Sequence, residues 1–138
     1  MYDRLLVAVN QSDAAERVIE AAQAMASLSH GELWVLHLQE KEFIGRGGFY
    51  PIELGAEAHS VAERAAQKLD DAGIKAHYEV RDTIYGQAAR EIVSAARAHD
   101  ADIIVMGSRG RGDLTGLVLG STAHKVIYLS DRPVLVVR

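Results

Sequence analysis

The chain has 138 residues, 49% hydrophobic and 25% charged, a globular composition that argues against disorder. Fifteen Lys and Arg against nineteen Asp and Glu leave a net charge of −4, which disfavours a nucleic-acid polymer as partner. No cysteine is present, so disulfide scaffolds, thiolate zinc sites and cysteine nucleophiles are excluded. The length leads to the expectation of a single domain over residues 1–138.

Leu5-Leu6-Val7-Ala8-Val9 is an apolar run with little alternation, the pattern of a strand buried on both faces. Met1-Tyr2-Asp3-Arg4 leads straight into it, without the basic region, long apolar stretch and cleavage site of a signal peptide. No apolar run approaches the roughly 20 residues that cross a bilayer. The expected setting is the cytoplasm, with no membrane association. Ser12 or Asp13 can cap a first helix, in which Ala15, Val18, Ile19, Ala22 and Ala26 recur at helical spacing. Gly31 marks its end. Leu33 to Leu38 reads as a second strand, and residues 40–55, with Gly45, Gly47, Gly48, Pro51 and Gly55, as a loop.

A second helix uses Leu54, Ala58, Val61, Ala62, Ala65 and Leu69 and ends near Gly73. Ala76 to Val80 is a third, more polar strand suited to a sheet edge. Gln87 to His99 is helical, with Ala89, Ile92, Val93 and Ala96 on one face. Ile103 to Met106 is a fourth strand. A glycine-rich segment from Gly107 to Gly120 leads into a helix from Ser121 to about Leu129, and Val134 to Val137 is the last strand. Alternation of this kind predicts an α/β fold: an open, doubly wound parallel sheet with helices on both faces. Such sheets bind ligands beyond the carboxyl ends of strands, where the winding direction switches. That directs attention to Asn10 and Ser12, to Leu38, and to Gly107 onward.

Five glycines fall between Gly107 and Gly120. Glycine lets backbone amides approach an anion closely, and the amides of Gly120, Ser121 and Thr122 open a helix, whose N-terminus favours phosphate. Arg109 and Arg111 add local positive charge. The segment is not a Walker A loop, because Asp113 stands where lysine is required. Nor is it a dinucleotide fingerprint, because Thr115 replaces the third glycine. The competing reading is a flexible loop followed by an ordinary helix cap.

Gly107-x2-Gly110-x9-Gly120-Ser121 resembles the nucleotide-binding pattern of universal stress proteins of the ATP-binding type. Leu6 to Val9 with Ser12, Ala101 to Gly110, and Pro133 to Val137 look like the family's opening strand, fourth strand and loop, and closing strand. The resemblance spans nearly the whole chain, apart from residues 40–55. It implies a five-stranded Rossmann-like sheet of order 3-2-1-4-5 and bound ATP, with or without Mg²⁺. It implies that triphosphate and ribose lie against Gly107, Gly110, Gly120, Ser121 and Thr122, and adenine near Ala8, Val9 and Leu38. Asn10, Ser12, Met106 and Arg109 complete the candidate nucleotide-binding set. The family commonly has Asp where this chain has Asn10, and an amide lacks the charge that favours Mg²⁺.

The six histidines, His30, His37, His59, His77, His99 and His124, form no HExxH or similar ligand pair. They read as surface or boundary residues, with His37 singled out because its strand ends near the site. No metal ligand and no catalytic residue is assigned: no nucleophile elbow is present and no general base has a partner. The expected function is therefore an ATP-binding stress-response sensor or regulator. A slow ATPase and a nucleotide-independent dimeric adaptor are the alternatives. Val134, Leu135, Val136 and Val137 would form an apolar edge, which pairing with a second copy would cover. The family resemblance points to the same homodimer. A chain of this length leaves the output to a downstream protein partner, unidentified from the sequence.

Overall fold

Leu5, Leu6 and Val7 are fully buried, so β1 (Arg4–Val9) lies between two layers, as its unbroken apolar run predicts. The computed structural model describes residues 1–9, 15–43, 47–51, 55–108 and 119–138. After β1 come α1 (Ala15–Ser29), β2 (Glu32–Phe43), β3 (Phe49–Pro51) and α2 (Gly55–Asp71). Then follow β4 (Ala76–Ile84), α3 (Ala88–Ala98), β5 (Ile103–Gly107), α4 (Ser121–Leu129) and β6 (Val134–Val137). Five strands run parallel in the order β4-β2-β1-β5-β6, which is the expected 3-2-1-4-5 once β3 is set aside.

Two cores cover the two faces of this sheet. On one, Leu5, Val7, Val9, Leu33, Val35, Ile103 and Val105 pack with Val18, Ile19, Ala22 and Ala26 of α1 and Ala66 and Leu69 of α2. On the other, Leu6, Leu36, Ile104 and Met106 pack with Ala89, Ile92, Val93 and Ala96 of α3 and Ala123 and Val126 of α4. Alternate residues of each central strand thus serve opposite layers, as the pleat requires. The α1 and α3 faces expected from helical spacing are the buried ones. Leu54 and the first-helix caps Ser12 and Asp13 lie outside the described residues.

The stretch 40–55 differs from its reading as a loop. β2 continues to Phe43, and β3 returns antiparallel to it, pairing Lys41 with Pro51 and Phe43 with Phe49. β4 likewise runs to Ile84 and stays in parallel register with β2 from Leu33↔Ala76 to Lys41↔Ile84. Charged residues such as Glu40, Lys41 and Arg81 carry no apolar signal, and partner strands, not propensity, extend these elements.

Three helices end in one way. His30 (φ 56), Gly73 (φ 85) and Asp100 (φ 53) are left-handed. The next amide closes each helix: Gly31 to the Ala26 carbonyl (3.0 Å), Ile74 to Leu69 (3.0 Å) and Ala101 to Ala96 (2.8 Å). Gly31 is thus not the left-handed residue its place in the sequence suggests. A Cβ there would come within 2.6 Å of Leu5 Cδ1 and 2.7 Å of the Tyr2 carbonyl, so its role is close approach.

Candidate functional site

The winding of the sheet reverses between β1 and β5: α1 leads from β1 to β2, whereas α4 leads from β5 to β6 on the other side. Register places Ala8 between Leu36 of β2 and Met106 of β5, and Val9 beside His37. Val9 and Met106 are buried, while Ala8 and Leu38 are half-buried against the α3–α4 core. Ala8, Val9, Leu38, Met106 and Gly107 therefore share the carboxyl end of the sheet.

α4 begins beside the same end. The Ser108 amide donates to the Val137 carbonyl (2.7 Å), and the Gly120 amide donates to the Ser108 carbonyl (2.5 Å). These two bonds tie the start of α4 to the ends of β5 and β6. Gly120 is the N-cap, with φ −71° and ψ 162°, an extended conformation open to any residue. It is buried, while Ser121 is exposed and Thr122 half-buried. The first amides of a helix have no intrahelical acceptor, so those of Ser121 and Thr122 remain for capping groups, water or an anion. No acidic residue stands in the first turn of α4 to oppose an anion. The structure thus brings together Ala8, Val9, Leu38, Met106, Gly107, Gly120, Ser121 and Thr122 along one end of the sheet. Asn10, Ser12, Arg109 and Gly110 lie outside the described residues.

His37 is the exception to the surface reading of the histidines: it is 1% exposed, and its Nδ1 lies 3.1 Å from the Val9 carbonyl oxygen. Lys125 is exposed on α4. Among the described residues, no group of three or more His, Cys, Asp or Glu is placed to hold a metal ion. Nor is any helix among them long and apolar enough to cross a membrane.

A second polar constellation, missed in the sequence, lies toward the amino end of the sheet. His77 and His99 both stack on Trp34, with ring centroids 5.1 and 5.3 Å away. The His77 ring bonds Glu32, and His99 Nε2 lies 2.6 Å from Glu79. Arg81 bonds Glu79 at 2.5 Å and approaches Glu91 of α3 at 3.7 Å. The His77 hydrogen bond holds the Glu32 carboxyl below its ordinary value, with Lys75 assisting and burial opposing. Burial raises Glu79, but hydrogen bonds from His99 and Arg81 outweigh it and leave the carboxyl low. Each carboxylate here is matched by a cation or imidazole, which makes the constellation a structural clasp between β4, β2 and the end of α3.

The Universal stress protein family model matches residues 1–138. The chain belongs to the universal stress protein family. Universal stress protein YxiE of Bacillus subtilis is 32% identical over 153 residues, covering 100% of both chains. MJ0577 of Methanocaldococcus jannaschii is 30% identical, and its solved structure superposes with a TM-score of 0.82 over 99% of this chain and 96% of that one. A universal stress protein from Archaeoglobus fulgidus, solved in complex with dAMP, is 27% identical, with a TM-score of 0.74 over 99% of this chain and 98% of that one. The Rossmann-like α/β architecture of this universal stress protein is thus shared along nearly its full length.

Proposed function

We propose that this universal stress protein binds an adenine nucleotide, ATP, where the carboxyl ends of β1 and β5 meet the start of α4. The carrying observation is the placement of Gly120, Ser121 and Thr122 at a helix N-terminus tied to Ser108 at the switch point. Free amides and the helix dipole there suit phosphates. Half-buried Ala8 and Leu38 offer an apolar surface for a base. The dAMP complex of the Archaeoglobus relative supports an adenine nucleotide as the ligand class. Arg109 and Gly110 would complete the phosphate side, and Asn10 and Ser12 belong to the same nucleotide-binding set. Asn10 brings no charge toward Mg²⁺, so a metal accompanying the ATP would be held by the phosphates and not through this residue.

Isothermal titration tests this reading. Saturable binding of one ATP per chain is expected, and no binding at millimolar nucleotide overturns it. Gly120→Val should abolish binding by filling the approach to the backbone, since the extended φ and ψ of Gly120 themselves accept valine. Mass spectrometry of the denatured protein should detect carried nucleotide, which separates this reading from an adaptor that needs none. The sequence shows no nucleophile elbow and no motif that pairs a general base with a nucleophile, so hydrolysis should be slow or absent. Phosphate release above background that disappears in Ser121→Ala would instead favour a slow ATPase.

The same reading makes the protein a cytoplasmic regulator whose nucleotide-bound form a downstream protein recognises. It acts as a homodimer through Val134, Leu135, Val136 and Val137. The Arg132 guanidinium, close to this edge in sequence, is engaged elsewhere: it donates to the Ala96 and Ala101 carbonyls at 3.1 and 2.6 Å.

A further inference from the structure

Among the described residues three polar residues are buried, Thr83, Ser108 and His37. Ser108 stands at the end of β5, where its backbone bonds to Val137 and Gly120 make it part of the candidate site already described. Thr83 lies near the far end of edge strand β4. His37 stands next to the candidate base site, and its side chain makes a contact that the sheet ladder does not require. A carbonyl oxygen only accepts hydrogen bonds, so at 3.1 Å His37 Nδ1 carries the proton and donates it to Val9. Parallel strands already pair through backbone amides, so this bond is an additional tie between the ends of β1 and β2.

The position of that tie gives it a consequence. Val9 ends β1, and Leu38 directly follows His37 in β2. The peptide unit is planar, so holding the Val9 carbonyl fixes the orientation of the last peptide plane of β1. A base recognised through backbone groups needs them held to within about 0.5 Å. We infer that His37 is a positioning residue for base recognition: its Nδ1–H holds the Val9 carbonyl and thereby sets the floor against which an adenine ring lies. The inference rests on the nucleotide reading above and assigns His37 no direct contact with the ligand.

The test compares His37→Asn, His37→Gln and His37→Leu with the unaltered protein, using ATP titrations and thermal melts. Asparagine places an amide N–H near the position of Nδ1, glutamine places it near Nε2, and leucine supplies none. ATP affinity should stay within about 3-fold in His37→Asn and fall about 10-fold or more in His37→Gln and His37→Leu, the size of one lost buried hydrogen bond. A role confined to stability would lower all three melting points without this ordering of affinities. Undiminished ATP affinity in both His37→Gln and His37→Leu overturns the inference, as does equal weakening in all three variants. Should His37→Leu fail to fold, the Asn–Gln pair decides alone. If the unaltered protein binds no ATP, the nucleotide reading falls and this inference with it. If it binds and the His37 ordering is absent, only the inference falls.

Discussion

β4 and β6 each pair with one neighbour among the described residues, β2 and β5, yet the two edges carry different side chains. β4 places His77, Glu79 and Arg81 in ion pairs and ring contacts with Glu32, Trp34, His99 and Glu91. β6 is Val134-Leu135-Val136-Val137, half-buried throughout, and follows a helix with exposed Ile127, Tyr128 and Leu129. Inward-pointing charges on an edge strand resist pairing with a further strand, whereas a plain apolar edge invites it. Among the described residues the sheet therefore has a guarded end and an open end. The dimer proposed above follows from the difference.

The largest expected effect breaks the open edge. Ile104 donates to the Pro133 carbonyl and Ser108 to the Val137 carbonyl, so odd-numbered residues of β6 turn their backbone toward β5. Val134 and Val136 turn theirs outward. Val136→Pro thus removes an outward amide and spares the β5 ladder. Light scattering should show a dimer for the unaltered protein and a monomer for the variant, with circular dichroism still that of the folded chain. A variant that remains dimeric sinks the β6 interface.

The next effect is at the guarded edge. Trp34→Ala removes the ring on which His77 and His99 stack and leaves a gap beside the α3 end. It should destabilise the protein by about 3 kcal/mol in urea unfolding. Dimerisation should be unaffected if the two edges are independent.

The smallest effect is electrostatic and depends on pH. Glu32 and Glu79 have folded-state carboxyls held below the usual value of 4.5. A group depressed on folding stabilises above its unfolded pKa and loses that contribution as pH falls through its folded pKa. Stability should therefore fall with acidification from about pH 4.5 downward. Glu79→Gln should lower stability near neutrality by roughly 0.5–1 kcal/mol. It should also flatten the acid limb. A variant with the same acid limb as the unaltered protein would show that Glu79 is not part of it.

The strand–helix order could be read from the residues because it rests on local patterns. Leu5 to Val9 is a short continuous apolar run, the pattern that suits a doubly buried strand, and the α1 and α3 faces repeat at helical spacing. The extensions of β2 to Phe43 and β4 to Ile84 could not be read, because they depend on pairing between charged segments far apart in the chain. The Trp34 clasp was hidden for the same reason. Glu32 meets His77 across 45 positions, and Glu79 meets His99 across 20. At the candidate site, the glycine spacing from Gly107 to Gly120 was visible. The bond from Gly120 to Ser108 that sets α4 against β5 was not. Gly31 was visible as a helix stop, but its tight approach to Tyr2 and Leu5 was not.

The sequence by itself determined the doubly wound α/β class, the placement of a glycine-rich helix start after a buried strand, and the apolar character of the last strand. These are properties of neighbouring residues, carried by periodicity and by the conformational range of glycine. Tertiary structure decided which edge is guarded and which is open. It also decided that His37 is buried against Val9 while His77 and His99 close a clasp at the other end. Burial and hydrogen-bond partnership belong to pairs of residues brought together by the sheet, so identical histidines acquire different roles only when the strands are in register.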